Sequence, residues 1–471
     1  MRMFENEDED DFLGSGFQDD LARFETMLKQ GQADFFDADQ LDTFIDHYLM
    51  ANQVKTAMDC VNHAIAFYPH NLNFQLRKAQ VLSNQGRLNE ALSLLMKYEK
   101  LIGEDLEFLL TKASVHSQLR DSKSAIKYFE RALELAEDDE KDDIFLDLAA
   151  EFQNLGASEQ AVKTLNRAIV SNPENEAAVH ELAYCFDLKN EMDECIRVYK
   201  DYLDIKPYSF STWYNLGNAY SKVEKYADAL WAYDYCTIIH EDFSSAYFNM
   251  GNIYLVLEQY FKAIESFERC IEIDGEDAMA LVYIAEAYEH LEEYDLSMHY
   301  YRRSLELQPD LPDPWLGMGI VLDLMERTSE AIPFLRKAVQ LDDLNPDYLH
   351  VYASALTKNG DTVEAFTVLH KALSINPMSD DLLIDITDLR AMDNVAYAFE
   401  EINDHIDSYE LVGIALLHRV KYAWLAGRQM DAIIFYREII LDDKDLARNL
   451  LEVFPEAAQI PLLYELYLMS R

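Results

Sequence analysis

Basic side chains are scarce in this 471-residue sequence. It has 40 lysine and arginine residues against 87 aspartate and glutamate residues, which gives a formal net charge of -47. A field of that sign repels phosphate backbones and anionic lipid headgroups, so nucleic acid and a bare membrane are poor partners. A basic protein or peptide is a better match for this charge.

Long apolar runs, turn residues and paired cysteines are also rare. There is no run of about 18 apolar residues, and the acidic N-terminus does not read as a secretion signal, so we expect a soluble, cytoplasmic protein. With 50% apolar residues but only 14 Gly and 11 Pro, the composition favours a helical protein over a β protein with many turns. The 5 cysteines form no CxxC pair, which fits a reducing compartment.

Patterns that carry catalysis or bind cofactors are missing as well. The motifs HExxH, GxSxG, GxGxxG and the phosphate-binding P-loop pattern do not occur, so the sequence predicts neither an enzyme nor a cofactor. The nearest metal-like cluster is His180, Glu181, Cys185 and Asp187. Because Cys185 lies beside a packing position, ordinary structural residues explain this cluster better than a metal site does.

A period of 34 residues runs through the sequence. It is clearest where FSTWYNLGNAYSKVEKYADALWAYDYCTIIHEDF is followed by SSAYFNMGNIYLVLEQYFKAIESFERCIEIDGED. Such a period is typical of stacked two-helix repeats. We number positions 1 to 34 within each repeat, and the repeats begin at Ala38, Leu72, Leu106, Asp142, Glu176, Phe210, Ser244, Ala278, Pro312, Pro346, Asp380 and Gly413.

Small and large side chains recur at fixed repeat positions. Position 20 is small in all but one repeat: Ala57, Ala91, Ala125, Ala161, Cys195, Ala229, Ala263, Ser297, Ala331, Ala365 and Ala432. Position 8 is alanine or glycine from the second repeat to the tenth, and aromatic residues recur at positions 11 and 24. Small residues allow two helices to approach closely, and large ones fill the space around them.

Helix-ending residues keep the same phase. Glycine at position 15 predicts the tight link between the two helices of a repeat, at Gly86, Gly156 and Gly360. Proline at position 32 predicts the end of the second helix, at Pro69, Pro173, Pro207, Pro309 and Pro377.

The stretch WYNLGNAY at residues 213–220, followed by Ala229 and Tyr233, resembles the tetratricopeptide repeat, and about ten repeats match over residues 38–379. The resemblance implies an all-α, right-handed superhelical solenoid of about twelve helix-turn-helix repeats with helical caps. It also implies that the first helices line a concave groove and that the protein is a non-catalytic scaffold or adaptor.

The ends depart from the repeat pattern. Residues 1–17 are predicted to be an acidic disordered arm, and residues 18–37 an N-terminal cap helix. Ten repeats are expected over 38–379 and two divergent repeats over 380–446. Residues 447–471 have apolar residues at helical spacing and are predicted to form a C-terminal capping helix.

The groove-facing positions of neighbouring repeats carry one patch of amide and aromatic residues. Its members are Tyr214, Asn215, Asn218, Phe248, Asn249, Asn252 and Tyr283. An asparagine amide both donates and accepts hydrogen bonds, so this patch is the candidate site for holding an extended peptide backbone. The alternative is that these are common repeat residues that face solvent or bond to a neighbouring helix.

The carboxylate clamp of some tetratricopeptide repeat proteins is incomplete in this chain. Its lysine and arginine positions hold Tyr214, Met279 and Tyr283, although Asn218 and Asn249 match its asparagines. A receptor for the C-terminal carboxylate of a chaperone is therefore disfavoured.

Acidic residues at other groove positions favour a partner that carries lysine or arginine. They include Asp39, Asp42, Asp46, Asp143, Asp147, Glu181, Asp187, Glu286 and Glu289. We therefore expect a peptide or a basic protein surface as the partner. The alternative function is an acidic, chaperone-like holder of basic clients that acts mainly through charge, and its binding would depend more steeply on salt.

Overall fold

The computed structural model describes residues 15–30, 34–138 and 140–470. This part of the chain contains no β-strand, and none of its helices is long and apolar enough to cross a membrane. Its α-helices are α1 Ser15–Gln30, α2 Ala38–Met50, α3 Val54–Phe67, α4 Leu72–Asn84, α5 Leu88–Ile102, α6 Leu106–Gln118, α7 Ser122–Leu135, α8 Lys141–Asn154, α9 Ser158–Ser171, α10 Glu176–Leu188, α11 Met192–Ile205, α12 Phe210–Lys222, α13 Tyr226–Ile239, α14 Ser244–Val256, α15 Tyr260–Asp274, α16 Ala278–His290, α17 Tyr294–Leu307, α18 Pro312–Leu324, α19 Thr328–Leu341, α20 Pro346–Asn359, α21 Thr362–Ile375, α22 Asp380–Asp393, α23 Val395–Tyr409, α24 Ala415–Leu425, α25 Gln429–Asp442, α26 Lys444–Ala447, α27 Leu450–Val453 and α28 Pro461–Ser470.

Consecutive helices pair as antiparallel hairpins, from α2 with α3 to α24 with α25. The prediction of an all-α fold built from two-helix repeats is therefore confirmed. The chain divides into two compact parts, Met1–Ile239 and His240–Arg471, which we call the N-terminal unit and the C-terminal unit. Within each unit, first helices also contact the first helices of neighbouring repeats, as α4 contacts α6 and α16 contacts α18.

The small residues of the repeat lie where the two helices of a hairpin meet. Every small residue predicted at position 20 is buried. At position 8, a Cβ atom added to Gly217 would lie 2.5 Å from Cε1 of Tyr233. A Cβ added to Gly251 would lie 2.6 Å from Cζ of Phe267. The aromatic ring at position 24 therefore packs directly on the backbone of the first helix, and the predicted knob-and-hole packing is confirmed.

Position 15 adopts a left-handed backbone conformation in nearly every repeat. The residues are Asn52, Gly86, Arg120, Gly156, Asn190, Glu224, Glu258, Glu292, Glu326, Gly360 and Gly427, with φ between 53° and 91°. The glycine pattern alone therefore missed the asparagine, arginine and glutamate residues that adopt this conformation. Each turn closes the first helix by backbone bonds, such as the N–H of Arg87 to the carbonyl of Leu82 at 2.9 Å.

The prolines at position 32 follow the second helices as predicted. Helix α3 ends at Phe67, two residues before Pro69, and α11 ends at Ile205, two residues before Pro207. Because proline has no backbone N–H and disfavours a helical residue before it, the chain turns there into the next repeat.

The N-terminal helix starts earlier than predicted. Helix α1 begins at Ser15 rather than at residue 18, and the ring of Phe17 lies 5.7 Å from that of Phe44. Phe24 is fully buried, with its ring 5.5 Å from Phe36 and 5.4 Å from Phe44. The rest of the predicted acidic arm, residues 1–14, lies outside the described residues.

The C-terminal segment differs from the single capping helix predicted for residues 447–471. It consists of α27, a 3-10 turn at Pro455–Gln459 and α28. The breaks have a physical cause, because Pro455 begins the turn and Pro461 begins α28. The segment still covers the last repeat, since Phe454 and Leu463 are buried in the core of the C-terminal unit.

The turn conformation predicts an effect of replacing Gly86. An alanine Cβ there would meet no atom within 4 Å, so the cost is that of placing a side chain at φ +72°. We expect Gly86→Ala to lower the free energy of unfolding by about 1 kcal/mol, and Gly86→Asn to lower it less. Chemical denaturation followed by circular dichroism measures this difference. Equal destabilisation by alanine and asparagine would contradict the explanation.

Candidate functional site

The seven residues of the predicted patch are all half-buried on first helices. Tyr214, Asn215 and Asn218 lie on α12 in the N-terminal unit, whereas Phe248, Asn249 and Asn252 on α14 and Tyr283 on α16 belong to the C-terminal unit.

The residues of α12 are held in place by other helices of the N-terminal unit. The hydroxyl of Tyr233, on α13, donates to Oδ1 of Asn218 at 2.6 Å, and its ring lies 5.8 Å from that of Tyr214. Nδ2 of Asn215 lies 3.4 Å from Nε2 of His180 on α10. Asn215 and Asn218 thus contribute hydrogen bonds to the fold, which is the alternative that the sequence left open for them.

The metal-like cluster of the sequence has ordinary structural contacts. Nε2 of His180 lies 3.2 Å from Oγ1 of Thr212, and burial lowers the pKa of this histidine. Nε2 of Gln153 lies 3.2 Å from Sγ of Cys185, and Asp187 pairs with a lysine of α12. Across the part of the chain that the structure describes, no three His, Cys, Asp or Glu residues are grouped so that they could hold a metal ion.

Three aromatic rings form a cluster in the C-terminal unit. The ring centroid of Phe248 is 5.5 Å from that of Phe267 and 5.7 Å from that of Tyr283. Phe267 and Tyr283 stack at 5.4 Å. Phe267 is fully buried beneath the two half-buried rings. We call these residues the three-ring cluster, and it presents two fixed aromatic edges on the first-helix face.

Two carboxylates follow Tyr283 on α16. Glu286 and Glu289 are half-buried, and burial raises the pKa of each to about 7. The pKa of Glu286 is raised further by the charges of Glu289 and Asp313. The hydroxyl of Tyr301, on α17, donates to Oε2 of Glu289 at 3.2 Å. The two glutamates therefore carry partial protonation near neutral pH, which their position in the sequence did not indicate.

The sequence pattern predicts only a packing role for the aromatic rings at position 24. In the structure, Tyr233, Phe267 and Tyr301 also contact half-buried residues of the first helices, which are Asn218, Phe248 and Glu289 respectively. The fixed phase of the repeat could have indicated these contacts, because position 24 of the second helix faces the first helix of the same hairpin.

Comparison with known families identifies the repeat. Profiles described as tetratricopeptide repeat match residues 106–139, 146–210, 244–277 and 280–311. The chain has no match among curated protein sequences.

Similar solved structures share low sequence identity with this chain. A tetratricopeptide repeat protein from Parabacteroides merdae has 17% identity and a TM-score of 0.43, with 53% of this chain and 98% of that chain covered. The APC/C hetero-tetramer Cut9-Hcn1 has 14% identity and a TM-score of 0.40, with coverage of 78% and 93%. YrrB, described as a TPR protein with an unusual peptide-binding site, has 22% identity and a TM-score of 0.31, with coverage of 38% and 92%.

The raised pKa values of Glu286 and Glu289 predict a pH dependence of stability. Their pKa lies near 7 in the folded chain against an ordinary value of 4.5, so between these values the folded state binds more protons than the unfolded state. Raising the pH from about 5 to 8 should therefore lower the free energy of unfolding, by on the order of 1 kcal/mol for each group.

The double substitution Glu286→Gln/Glu289→Gln removes both titrating groups and should reduce this decline. Denaturant titrations at pH 5, 6, 7 and 8, compared with wild type, measure the difference. The control is Glu306→Gln/Asp310→Asn, which replaces two exposed acidic residues near the turn into the next repeat. An equal pH dependence in wild type and in the Glu286/Glu289 variant would contradict the explanation.

Proposed function

Since the chain is a tetratricopeptide repeat protein, we propose that it is a non-catalytic scaffold that holds a peptide or a basic protein surface against the first helices of its repeats. The observation that carries this proposal is the three-ring cluster of Phe248, Phe267 and Tyr283. Rings fixed by a buried neighbour lose little conformational entropy on binding, and aromatic residues of this kind often dominate protein interfaces.

The asparagines beside the cluster supply polar contacts for a peptide backbone. Asn252 is one helical turn after Phe248, and Asn249 is three residues before Asn252, so all three lie on neighbouring parts of the α14 surface. An amide can donate to a backbone carbonyl and accept from a backbone N–H. Together the rings and amides suit an extended segment whose exact sequence matters little.

Charge supports a basic partner. The formal net charge is -47, and Glu286 and Glu289 lie on the same helix as Tyr283. A nearby lysine or arginine of the partner would favour the ionised form of these carboxylates and would be attracted by them. The proposed setting is the cytoplasm, since the 5 cysteines are buried and unpaired in the described residues.

A second candidate function is a holder of basic clients that acts mainly through charge, and the net charge of -47 favours it. The two candidates differ in their dependence on salt. Charge-led binding should fall steeply between low and physiological ionic strength, whereas capture by rings and amides should change much less.

Site-specific photo-crosslinking in the native cell tests the scaffold proposal. A benzophenone amino acid is placed at Tyr283, on the first-helix face, or at Phe261, which is 74% exposed on α15. We expect a defined adduct from position 283 and none, or far less, from position 261, because partners should contact the first helices. Equal adducts from both positions would contradict the proposal.

The asparagines are tested in the same assay. Asn249→Ala/Asn252→Ala should lower the yield of the adduct from position 283 by about fivefold or more, since each lost interfacial hydrogen bond costs on the order of 1 kcal/mol. Helicity and melting should stay close to those of wild type. Unchanged adduct formation would remove the amides from the binding surface.

A further inference from the structure

A separate cleft lies on the first-helix face of the N-terminal unit. Its volume is about 670 Å³, and most of its lining comes from α4, α6 and α8. Its polar lining includes Gln80 and Ser83 from α4, Ser114 from α6, and Asp143 and Asp147 from α8. None of the described residues that line it is basic. The polar cleft, as we call it, is distinct from the patch that the sequence predicted.

Ser83 gives the polar cleft an unused hydrogen-bonding group. Its side chain is only 6% exposed, and among the described residues its Oγ has no hydrogen-bond partner. A buried hydroxyl without a partner costs free energy, and such groups are uncommon in native structures. A ligand that reaches Ser83 would satisfy this group.

Asp143 and Asp147 give the cleft an unbalanced charge. They are one helical turn apart on α8 and exposed, and neither forms an ion pair within the described part of the chain. Asp147 stands at position 6 of its repeat, which is the position that Arg77 takes two repeats earlier. The same repeat position therefore holds an acidic residue at the cleft and a basic residue two repeats earlier.

The surroundings of Arg77 show how this face binds a guanidinium group. Nε of Arg77 lies 2.7 Å from a carboxylate oxygen of Asp42, and Nη1 of Arg77 lies 3.0 Å from Asp46 and 3.2 Å from Glu107. Its side chain is only 15% exposed. Asp42 and Asp46 are four residues apart on one helix, as Asp143 and Asp147 are. Carboxylates with this spacing on a first helix can thus hold an arginine.

We propose that the polar cleft binds an arginine side chain of the partner protein, with Asp143 and Asp147 pairing with the guanidinium and Ser83 accepting one of its hydrogen bonds. The guanidinium has five N–H donors and suits a site rich in acceptors. Phe129, which also lines the cleft, offers an apolar contact for the aliphatic stem. The inference deepens the proposed scaffold function and rests on it.

Fluorescence anisotropy with a labelled hexapeptide that has one central arginine tests the inference on the full chain. The same peptide with citrulline, the neutral isostere, is the comparison. At about 0.15 M ionic strength, we expect the arginine peptide to bind about tenfold more tightly than the citrulline peptide, because the charge-assisted hydrogen bonds are lost with citrulline. Equal binding of the two peptides, or no arginine binding up to about 1 mM, would overturn the inference.

Substitutions in the protein locate the binding. Asp143→Asn/Asp147→Asn should weaken arginine binding by about tenfold, whereas Glu130→Gln/Glu134→Gln should leave it within about twofold. The control pair removes the same charge from exposed residues four apart on α7. Equal losses from both pairs would assign the binding to overall charge and would overturn the site.

Ser83→Ala separates a binding role from a structural one. Because the hydroxyl has no partner in the described residues, its removal should leave stability unchanged or slightly higher while it weakens arginine binding. Loss of stability with unchanged binding would remove Ser83 from the site. If the peptide fails while crosslinking at position 283 succeeds, only the cleft inference falls and the scaffold function stands.

Discussion

The close approach of two helices at small residues is the contact on which the rest of each unit depends. The buried alanine at position 20 and the small residue at position 8 let the helices of a hairpin come together, and the ring at position 24 covers the backbone of the first helix. In the repeat that begins at Phe210, for example, Tyr233 leaves no room for a side chain on Gly217. Dense packing of this kind tolerates little change in volume.

The same contact between the helices of a hairpin also fixes side chains on the surface of the first helix. Because the position-24 rings also contact half-buried residues of the first helices, Tyr233 orients Asn218 and Phe267 supports Phe248. The rings therefore have two functions, since they fill the core and fix the side chains of the proposed binding surface. Rigid side chains of this kind reduce the entropy that binding costs.

Much of the fold could be predicted from the sequence because its determinants repeat. One small residue is ambiguous, but the recurrence from Ala57 to Ala365 at one position indicates a shared contact. The conformation at Glu258 and Glu292 could not be predicted, since glutamate has no preference for positive φ and only the closing turn of the helix demands it. The divided C-terminal segment was missed because Pro455 and Pro461 were outweighed by apolar residues at helical spacing.

The candidate surfaces were less predictable than the fold. The repeat phase placed Phe248 and Tyr283 on the first-helix face, but the contact of their rings with Phe267 is evident only in the structure. Position alone also marked Asp143 and Asp147 as acidic groove residues. Their proposed role depends also on Ser83, whose Oγ has no hydrogen-bond partner among the described residues, and this feature has no signature in the sequence.

The most direct test of the central contact compares two alanines of α13. Ala229 is fully buried at position 20, whereas Ala227 is exposed two residues earlier on the same helix. Each alanine is replaced by leucine, and the two variants are compared by thermal denaturation. Because alanine and leucine have similar helix propensities, a difference in stability between the variants reports on packing. We expect Ala229→Leu to lower the free energy of unfolding by about 1–3 kcal/mol and Ala227→Leu to change it little. Equal melting temperatures for the two variants would contradict this expectation.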